Sequence, residues 1–472
     1  MRFLLIATLS LIAFSCASEK VTENTYFGGE IVNPNDSYVV LYKNEQLIDS
    51  FELDNNNRFM INLGEEFKEG LYYFVHKPEQ QYIFLEKGDS ILIRLNTYDF
   101  DESLVFTGIG SEKNNFLIDM FLLHEDEEKL VEEYFNLEPA DFLSRMDSLK
   151  QMKFEQYDDL VLNFELTDNA KNLVQASIDF PHYYNKEIYP YMHKKSKSLK
   201  ELESLPEDFY NHRENLNYDD DRLSYFRPYL DYMVYHFNNL SYHDCKKNCD
   251  HHDPNTKRSF HFYTHKLKLI DSVVKNESLR DNLFRNTAYA YFLRFQNPSS
   301  NKNFIASFNK YSQNSNHIDE INGLYKSIQN LQEGNLIPPV SLVRTDGSIT
   351  SSNNILKENT VYYFWSINQK NHMKNINAHV NALKKKYPSY SFVGININED
   401  HTRWKSTLNS MKWDSSNQYR CASFNEISRK FVIDGLNKAV IVKGDGTIVN
   451  AFSNIYEADF EKTLKNLAYN NK

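Results

Sequence analysis

One segment of the sequence joins an apolar run to residues that could carry chemistry. In YYFWSINQKNHMKNI, residues 362–376, the run ends at Trp365 and a predicted helix follows a few polar residues later. Gln369 and His372 stand at this junction, where a helix N-terminus concentrates positive potential. An imidazole at a helix start can serve as a general base or a ligand, but the neighbouring Gln369 and Asn371 do not complete a catalytic set.

A second segment, SYHDCKKNCDHHDPNTKRSFHFYTHK, groups cysteines with histidines. Cys245 and Cys249 are followed, after a gap of 11 residues, by His261 and His265, which is close to the spacing of a zinc finger. The gap is one residue short, however, and the loop lacks the apolar residues of a finger's core. Three interpretations stay open: a disulfide, which oxidation outside the cytosol favours, a metal site, and unpaired loop cysteines beside solvated histidines.

The composition limits the classes of function. A chain of 472 residues with only 14 Gly and 12 Pro predicts two or three folded domains rather than a fibrous or low-complexity protein. Its formal net charge of −11 and the lack of a basic patch argue against binding nucleic acid. No Ser/His/Asp grouping, paired-carboxylate motif or phosphate loop is recognisable in the sequence, so no cofactor is predicted.

The N-terminus has the pattern of an export signal. In MRFLLIATLSLIAFSC, Arg2 precedes an apolar run that is too short to span a bilayer. The cysteine that follows the run, Cys16, resembles the acylated cysteine of a bacterial lipoprotein, although Ala13 and Phe14 depart from the usual residues before it. We expect residues 1–16 to be a lipoprotein signal with acylation at Cys16 and residues 17–25 to be a tether; an ordinary secretory signal is the alternative.

The two segments after the N-terminal region differ in the periodicity of their apolar residues. Residues 26–110 contain short alternating or β-branched runs separated by turn residues, with Gly88-Asp89 as a predicted hairpin turn, which indicates a small β-sandwich or barrel. Residues 114–332 change to apolar spacing of three and four residues, which indicates a helical domain. Asp141, after Pro139, is a predicted N-cap in this helical segment.

Residues 336–472 return to alternating strands and helices. NTVYYFW and YSFVGINI are typical of buried parallel strands. MKNINAHVNALKKKYP predicts a helix with Ile376, Val380, Leu383 and Tyr387 on one face, and KAVIVKGDGTIVNAF predicts a hairpin that turns at residues 444–446. The overall prediction is a multidomain α+β protein with a β-sandwich-like domain, a helical middle domain and a C-terminal α/β domain.

The order of elements in residues 336–472 resembles the TlpA-like thioredoxin domain of exported thiol–disulfide lipoproteins. Such domains carry a phrase like F-W-A-x-W-C-x-x-C after the first buried strand, and here Phe364 and Trp365 match it. Gln369 and His372 stand in place of the two cysteines. Asn437 stands in place of the proline that is cis in the family. The preceding β and helical segments are similar to regions that come before this domain in such proteins.

The resemblance implies thiol–disulfide exchange, yet the sequence lacks the thiols that this chemistry needs at the expected positions. Exchange requires an attacking thiolate and a resolving thiol. A cis bond before a non-proline residue costs about 2.5–4 kcal/mol, so we expect the Leu436–Asn437 bond to be trans. Cys421 does not match the family's reactive position, and we expect it to be a small buried residue.

Two functions from different classes follow. The favoured one is a redox-inactive lipoprotein, exported and lipid-anchored to the bacterial membrane, that binds a protein or peptide partner at the cell envelope. The alternative is an oxidoreductase of the TlpA-like family that works through Cys245 and Cys249 or through Cys421.

Overall fold

The computed structural model describes residues 24–64, 66–197, 205–248, 257–398 and 400–470. The chain divides into two compact units, residues 1–236 and 237–472. The division falls inside the segment predicted as one helical domain, and the predicted domain boundaries stay a prediction. Within the described part of the chain, no helix has an apolar stretch long enough to cross a bilayer.

The first unit begins with two four-stranded sheets, whose strand orders are β4-β1-β7-β8 and β3-β2-β5-β6. β1 runs parallel to β7 and antiparallel to β4. The apolar faces of both sheets share one core, in which Phe27, Val39, Phe74 and Ile91 are fully buried. This is a β-sandwich, as the alternating pattern predicts. The strands are β1 (Tyr26–Val32), β2 (Tyr38–Lys43), β3 (Gln46–Glu52), β4 (Arg58–Asn62), β5 (Gly70–His76), β6 (Glu79–Leu85), β7 (Ser90–Asn96) and β8 (Val105–Ile109).

The predicted hairpin at Gly88-Asp89 is wrong. The strands on either side of it, β6 and β7, belong to different sheets, so the turn carries the chain from one sheet to the other. Gly88 has a φ of 83°, a conformation that glycine adopts at little cost. The turn residues indicate where the chain reverses, but long-range packing decides which strand each one pairs with.

Helices α1 (Ser111–Tyr134), α2 (Pro139–Asn163) and α3 (Asp168–Lys197) follow the sandwich, and α4 (Arg227–Asn248) begins at the end of the first unit. Part of the predicted apolar spacing forms contact faces: Phe116 and Met120 of α1 pack with Val174 of α3, whereas Phe121 is exposed. Asp141 is not the N-cap of α2 but lies in its first turn. Glu138 is the N-cap, and the proline after it occupies the first helical position. A backbone N–H at that position has no partner within the helix, so the missing N–H of proline costs no hydrogen bond.

After α4, the described residues of the second unit form four helices before its sheet: α5 (Lys257–Val273), α6 (Glu277–Phe292), α7 (Pro298–Tyr311) and α8 (Ser315–Asn330). An asparagine precedes each of the last three, and the side chains of Asn276, Asn297 and Asn314 accept backbone N–H groups of the first turn. These caps explain where the helices begin.

A seven-stranded sheet with the order β10-β9-β13-β12-β11-β14-β15 completes the second unit. β11 is parallel to β12 and antiparallel to β14. The predicted helix face is confirmed, since Ile376, Val380, Leu383 and Tyr387 are all buried. The strands are β9 (Ser341–Val343), β10 (Ile349–Ser351), β11 (Thr360–Trp365), β12 (Ser391–Asn396), β13 (Gln418–Cys421), β14 (Lys438–Val442) and β15 (Ile448–Asn454); the helices are α9 (Lys370–Lys386), α10 (His401–Ser410), α11 (Phe424–Phe431) and α12 (Ala458–Asn470).

The predicted fold class is confirmed: N-terminal sheets, a helical middle region and a C-terminal α/β region. β13 is the strand that the sequence did not indicate. It has four residues, and Gln418 and Arg420 interrupt its apolar pattern, so only its pairing with β12 and β9 defines it.

Candidate functional site

The candidate site begins at the carboxyl end of β11, where every residue of the strand is buried. The last residue, Trp365, is fully buried, and its indole N–H donates to Oε1 of Gln418 at 3.1 Å. Gln418 in turn donates to the hydroxyl of Tyr363 at 2.7 Å. A buried amide thereby satisfies two buried polar groups of β11 and fixes the end of the strand.

The loop after β11 is held by an asparagine that follows β12. Oδ1 of Asn398 accepts from the hydroxyl of Ser366 and from the backbone N–H of Ile367, both at 2.9 Å. Asn396 donates to the carbonyl of Trp365 at 3.3 Å. These bonds set the path of the chain into α9. Polar residues directly after a buried parallel strand were a sequence signal for such a role, and the sequence reasoning missed it.

Gln369 is the N-cap of α9, and His372 lies in the first turn of that helix. Gln369 is exposed and its side chain does not cap the helix. Neither ring nitrogen of His372 is solvent-exposed or makes a hydrogen bond of good geometry. Burial lowers the pKa of His372, while the side chain of Asn437 and the backbone of Leu436 oppose that shift. The helix start therefore presents an amide and an imidazole that favours its neutral form.

Asn437 lies in the loop between α11 and β14, and its side chain is close to the imidazole of His372. The structure thus brings together two of the residues singled out in the sequence, one from the start of α9 and one from a loop 65 residues later. The Leu436–Asn437 peptide bond is trans, as expected. The carbonyl of Asn437 accepts from the N–H of Ile455 at 2.8 Å, which ties the loop to the end of β15.

Lys438 follows directly as the first residue of β14 and is buried. It lies in the wall of a pocket of about 210 Å³ that also contains Asn437. The sequence contained a signal for this residue, since a lysine at the head of the apolar run KAVIV is unusual for a strand buried on both faces.

Cys421 is fully buried at the end of β13, and its Sγ donates to the carbonyl of Ile397 at 3.2 Å. This agrees with the expectation of a small buried residue. Exchange chemistry needs a thiolate that its substrate can reach, so the position of Cys421 argues against a reactive role.

The cysteine–histidine cluster is only partly described. Cys249 and the side chain of Cys245 lie outside the described residues, as does Cys16. His261 and His265 lie on α5 with ring centroids 6.2 Å apart, and Nε2 of His265 is 2.7 Å from Asp244 of α4. Among the side chains that the structure describes, no three potential ligands converge on one point. The disulfide, metal and lipidation assignments stay predictions.

Comparison with known proteins bears on the C-terminal region. Residues 357–448 match the model of a family described as thioredoxin-like. No curated protein matches the sequence significantly.

Solved structures similar to part of the chain include the following three from bacteria. The thioredoxin domain of a thiol–disulfide oxidoreductase from Bacteroides vulgatus is 19% identical, with 29% of this chain and 98% of that one covered and a TM-score of 0.24. A thiol:disulfide interchange protein from Bacteroides sp. is 17% identical, with coverages of 30% and 93% and a TM-score of 0.24. A thioredoxin-like protein from Porphyromonas gingivalis is 19% identical, with coverages of 29% and 94% and a TM-score of 0.25.

The family match spans β11 and β14, with Gln369, His372 and Asn437 between its limits. Apart from β13, the sequential order of strands and helices around these residues is the one expected from the sequence. Residues 357–448 therefore lie within a thioredoxin-like domain.

Proposed function

We propose that this protein is an exported lipoprotein, anchored through Cys16, whose thioredoxin-like domain binds a protein or peptide partner at the cell envelope without thiol–disulfide exchange. The observation that carries the proposal is the start of α9, where Gln369 is the N-cap and His372 faces Asn437. Exchange needs a thiolate at this helix start and a second thiol to resolve the mixed disulfide. An amide and an imidazole perform neither step.

The loop geometry supports a binding role. Asn398 fixes the chain between β11 and α9, while Asn368, Gln369 and Asn437 leave an exposed neutral polar surface beside it. Such a surface offers hydrogen-bond donors and acceptors to a partner backbone. The alternative route through Cys421 loses support because that thiol is buried.

The experiment uses protein lacking residues 1–16 in an insulin-reduction assay and a DTNB-reduction assay. We expect no turnover above the uncatalysed rate. Turnover in the wild type that disappears in Cys245→Ser/Cys249→Ser would overturn the proposal and support the alternative oxidoreductase. Turnover that disappears in Cys421→Ser would do the same for Cys421.

A second arm tests the binding role. A photo-crosslinking residue is placed at Gln369 or, as a control, at Asp445, which lies in the exposed β14–β15 turn. Native membranes should give a discrete crosslinked species only from position 369, and His372→Ala/Asn437→Ala should weaken it. Equal labelling from both positions would contradict a binding role for this surface.

A further inference from the structure

Lys438 is a buried cation at the edge of a pocket. Only 7% of the residue is exposed, and every residue of its strand, β14, is buried. The pocket beside it has a volume of about 210 Å³ and is lined by residues of the loop before β14, of β15 and of the end of α6: Leu293, Asp434, Gly435, Asn437, Lys438, Phe452, Ser453 and Asn454.

The ammonium of Lys438 has no oxygen partner among the described residues. Its contact is with the ring of Phe452, whose centroid lies 4.4 Å from Nζ. Asp434 is near enough to act through space, but burial outweighs it and lowers the pKa of Lys438 to about 8. A cation–π contact compensates for only part of the desolvation of a charged group.

Two other buried lysines, Lys113 and Lys266, have such an oxygen partner, whereas the buried Lys186 lies over the ring of Phe209. Nζ of Lys113 lies 2.7 Å from Glu86 and 2.8 Å from Asp89. Nζ of Lys266 donates to Oδ1 of Asn238 at 2.7 Å. In each case a side-chain oxygen accepts from the buried ammonium. Lys438 instead lies in the wall of an open pocket where such an oxygen would fit.

The residues that line the pocket indicate which charge an acceptor for the Lys438 ammonium would carry. Besides Lys438 it offers neutral polar groups from Asn437, Ser453 and Asn454, together with the carboxylate of Asp434. One cation beside one acidic side chain leaves the lining without net charge, so the repulsion from Asp434 disfavours a singly charged carboxylate less than a doubly charged phosphate. A carboxylate accepts from a lysine and from neighbouring amide and hydroxyl donors at once.

We propose that Lys438 receives a carboxylate of the binding partner in this pocket, supplied by an Asp or Glu side chain or by a peptide C-terminus. The inference rests on the proposed binding function and adds the chemical class of the group that is recognised. Asn437 belongs both to this pocket and to the surface beside His372, so a peptide lying along that surface could place its carboxylate on Lys438.

The experiment measures the pKa of Lys438 in the full mature chain by NMR after reductive ¹³C-methylation. The probes are N-acetylglycine for a C-terminal carboxylate, N-acetylglutamic acid α-amide for a side-chain carboxylate, N-acetylglycinamide as the neutral control, and inorganic phosphate. At least one carboxylate should raise the pKa of Lys438 and saturate, whereas the neutral amide should leave it unchanged. The carboxylate that binds more tightly identifies the source.

Variants test whether the lysine carries the binding. Lys438→Met should weaken carboxylate binding, followed by calorimetry, about tenfold or more, because a charge-assisted hydrogen bond is lost. Lys443→Met, an exposed position after the same strand, should bind like the wild type. Near-UV circular dichroism checks that each variant is folded.

Equal effects of the carboxylates and the neutral amide would overturn the inference, as would tighter binding of phosphate than of either carboxylate. The failure of this inference is distinguishable from that of the proposed function. Carboxylate binding in a protein that also reduces insulin would overturn only the redox-inactive role. Absent carboxylate binding in a protein that does not reduce insulin would overturn only the inference.

Discussion

The indole N–H of Trp365 donates to Oε1 of Gln418, and the same amide donates to the hydroxyl of Tyr363. All three side chains are buried. Gln418 therefore connects the end of β11, where the candidate site begins, to β13 two strands away in the sheet. Neither partner can reach water, so the amide is the group on which both depend.

Gln418→Leu should lower the free energy of unfolding by about 1–3 kcal/mol, because it leaves buried polar groups of Trp365 and Tyr363 without a partner. Urea unfolding measures the change. The control is Gln329→Leu on the exposed face of α8, which should change the free energy much less. If Gln418→Leu matches the control, the amide does not stabilise this strand end.

Gln369→Cys with His372→Cys should form a disulfide and give weak insulin-reductase activity. The reason is that position 369 is the N-cap of α9, where the helix terminus lowers the pKa of a thiol. Adding Asn437→Pro should raise the activity, since residue 437 faces residue 372. Mass spectrometry after air oxidation and the insulin assay provide the measurements.

A matched control places the same spacing at the start of another helix. Asp400 is the N-cap of α10, and Asp400→Cys with Arg403→Cys should give no reductase activity even where the two cysteines pair. Equal activity in both double variants would show that any such pair suffices. New cysteines at 369 and 372 that never pair would contradict the placement of the site.

Lys438→Met should raise the free energy of unfolding at pH 7, by an amount that shrinks as the pH rises. The folded-state pKa of Lys438, about 8, lies below its ordinary value of 10.5. Between these values the unfolded chain binds more protons than the folded protein, so wild-type stability rises with pH through this window relative to the variant.

The lowered pKa of Lys438 corresponds to a destabilisation of the folded wild type by about 3 kcal/mol below pH 8. This destabilisation disappears as the pH approaches 10.5. Urea unfolding at pH 7, 8.5 and 10 measures the difference, with Lys443→Met as the control. A difference between wild type and Lys438→Met that is the same at every pH would show that the lysine is not desolvated.

Acylation at Cys16 is tested by labelling with an alkyne fatty acid in cells. The wild type should incorporate the label and Cys16→Ala should not, because only a thiol after the apolar run can carry the lipid anchor. Cys421→Ala serves as the control and should label normally. Equal labelling of the wild type and Cys16→Ala would end the lipoprotein assignment.

Cys245 and Cys249 should be protected as a pair when the protein is isolated without reductant. Alkylation followed by intact-mass measurement counts the reactive thiols, and the count should rise by two after reduction. Zinc analysis on the same sample separates a disulfide from a metal site. Free alkylation of both cysteines without bound metal would identify them as ordinary loop residues.

The sequence by itself determined the class of fold and the three types of region, because the period of apolar residues is a local property. The stripe from Ile376 to Tyr387 predicted one buried helix face, and all of its predicted members are buried. The run that ends at Trp365 predicted a buried strand followed by a helix start, which placed Gln369 and His372 correctly.

The tertiary structure alone decided which distant residues meet. The turn at Gly88-Asp89 looked like a hairpin but joins two sheets, since a turn motif does not encode its pairing partner. β13 is defined by its pairing with β12 and β9 and not by an apolar pattern of its own. Three further features depend on residues that are far apart in sequence: the contact of Asn437 with His372, the hydrogen bond from Trp365 to Gln418, and the pocket at Lys438. The tertiary fold brings these residues together, and no local sequence pattern predicts which of them will meet.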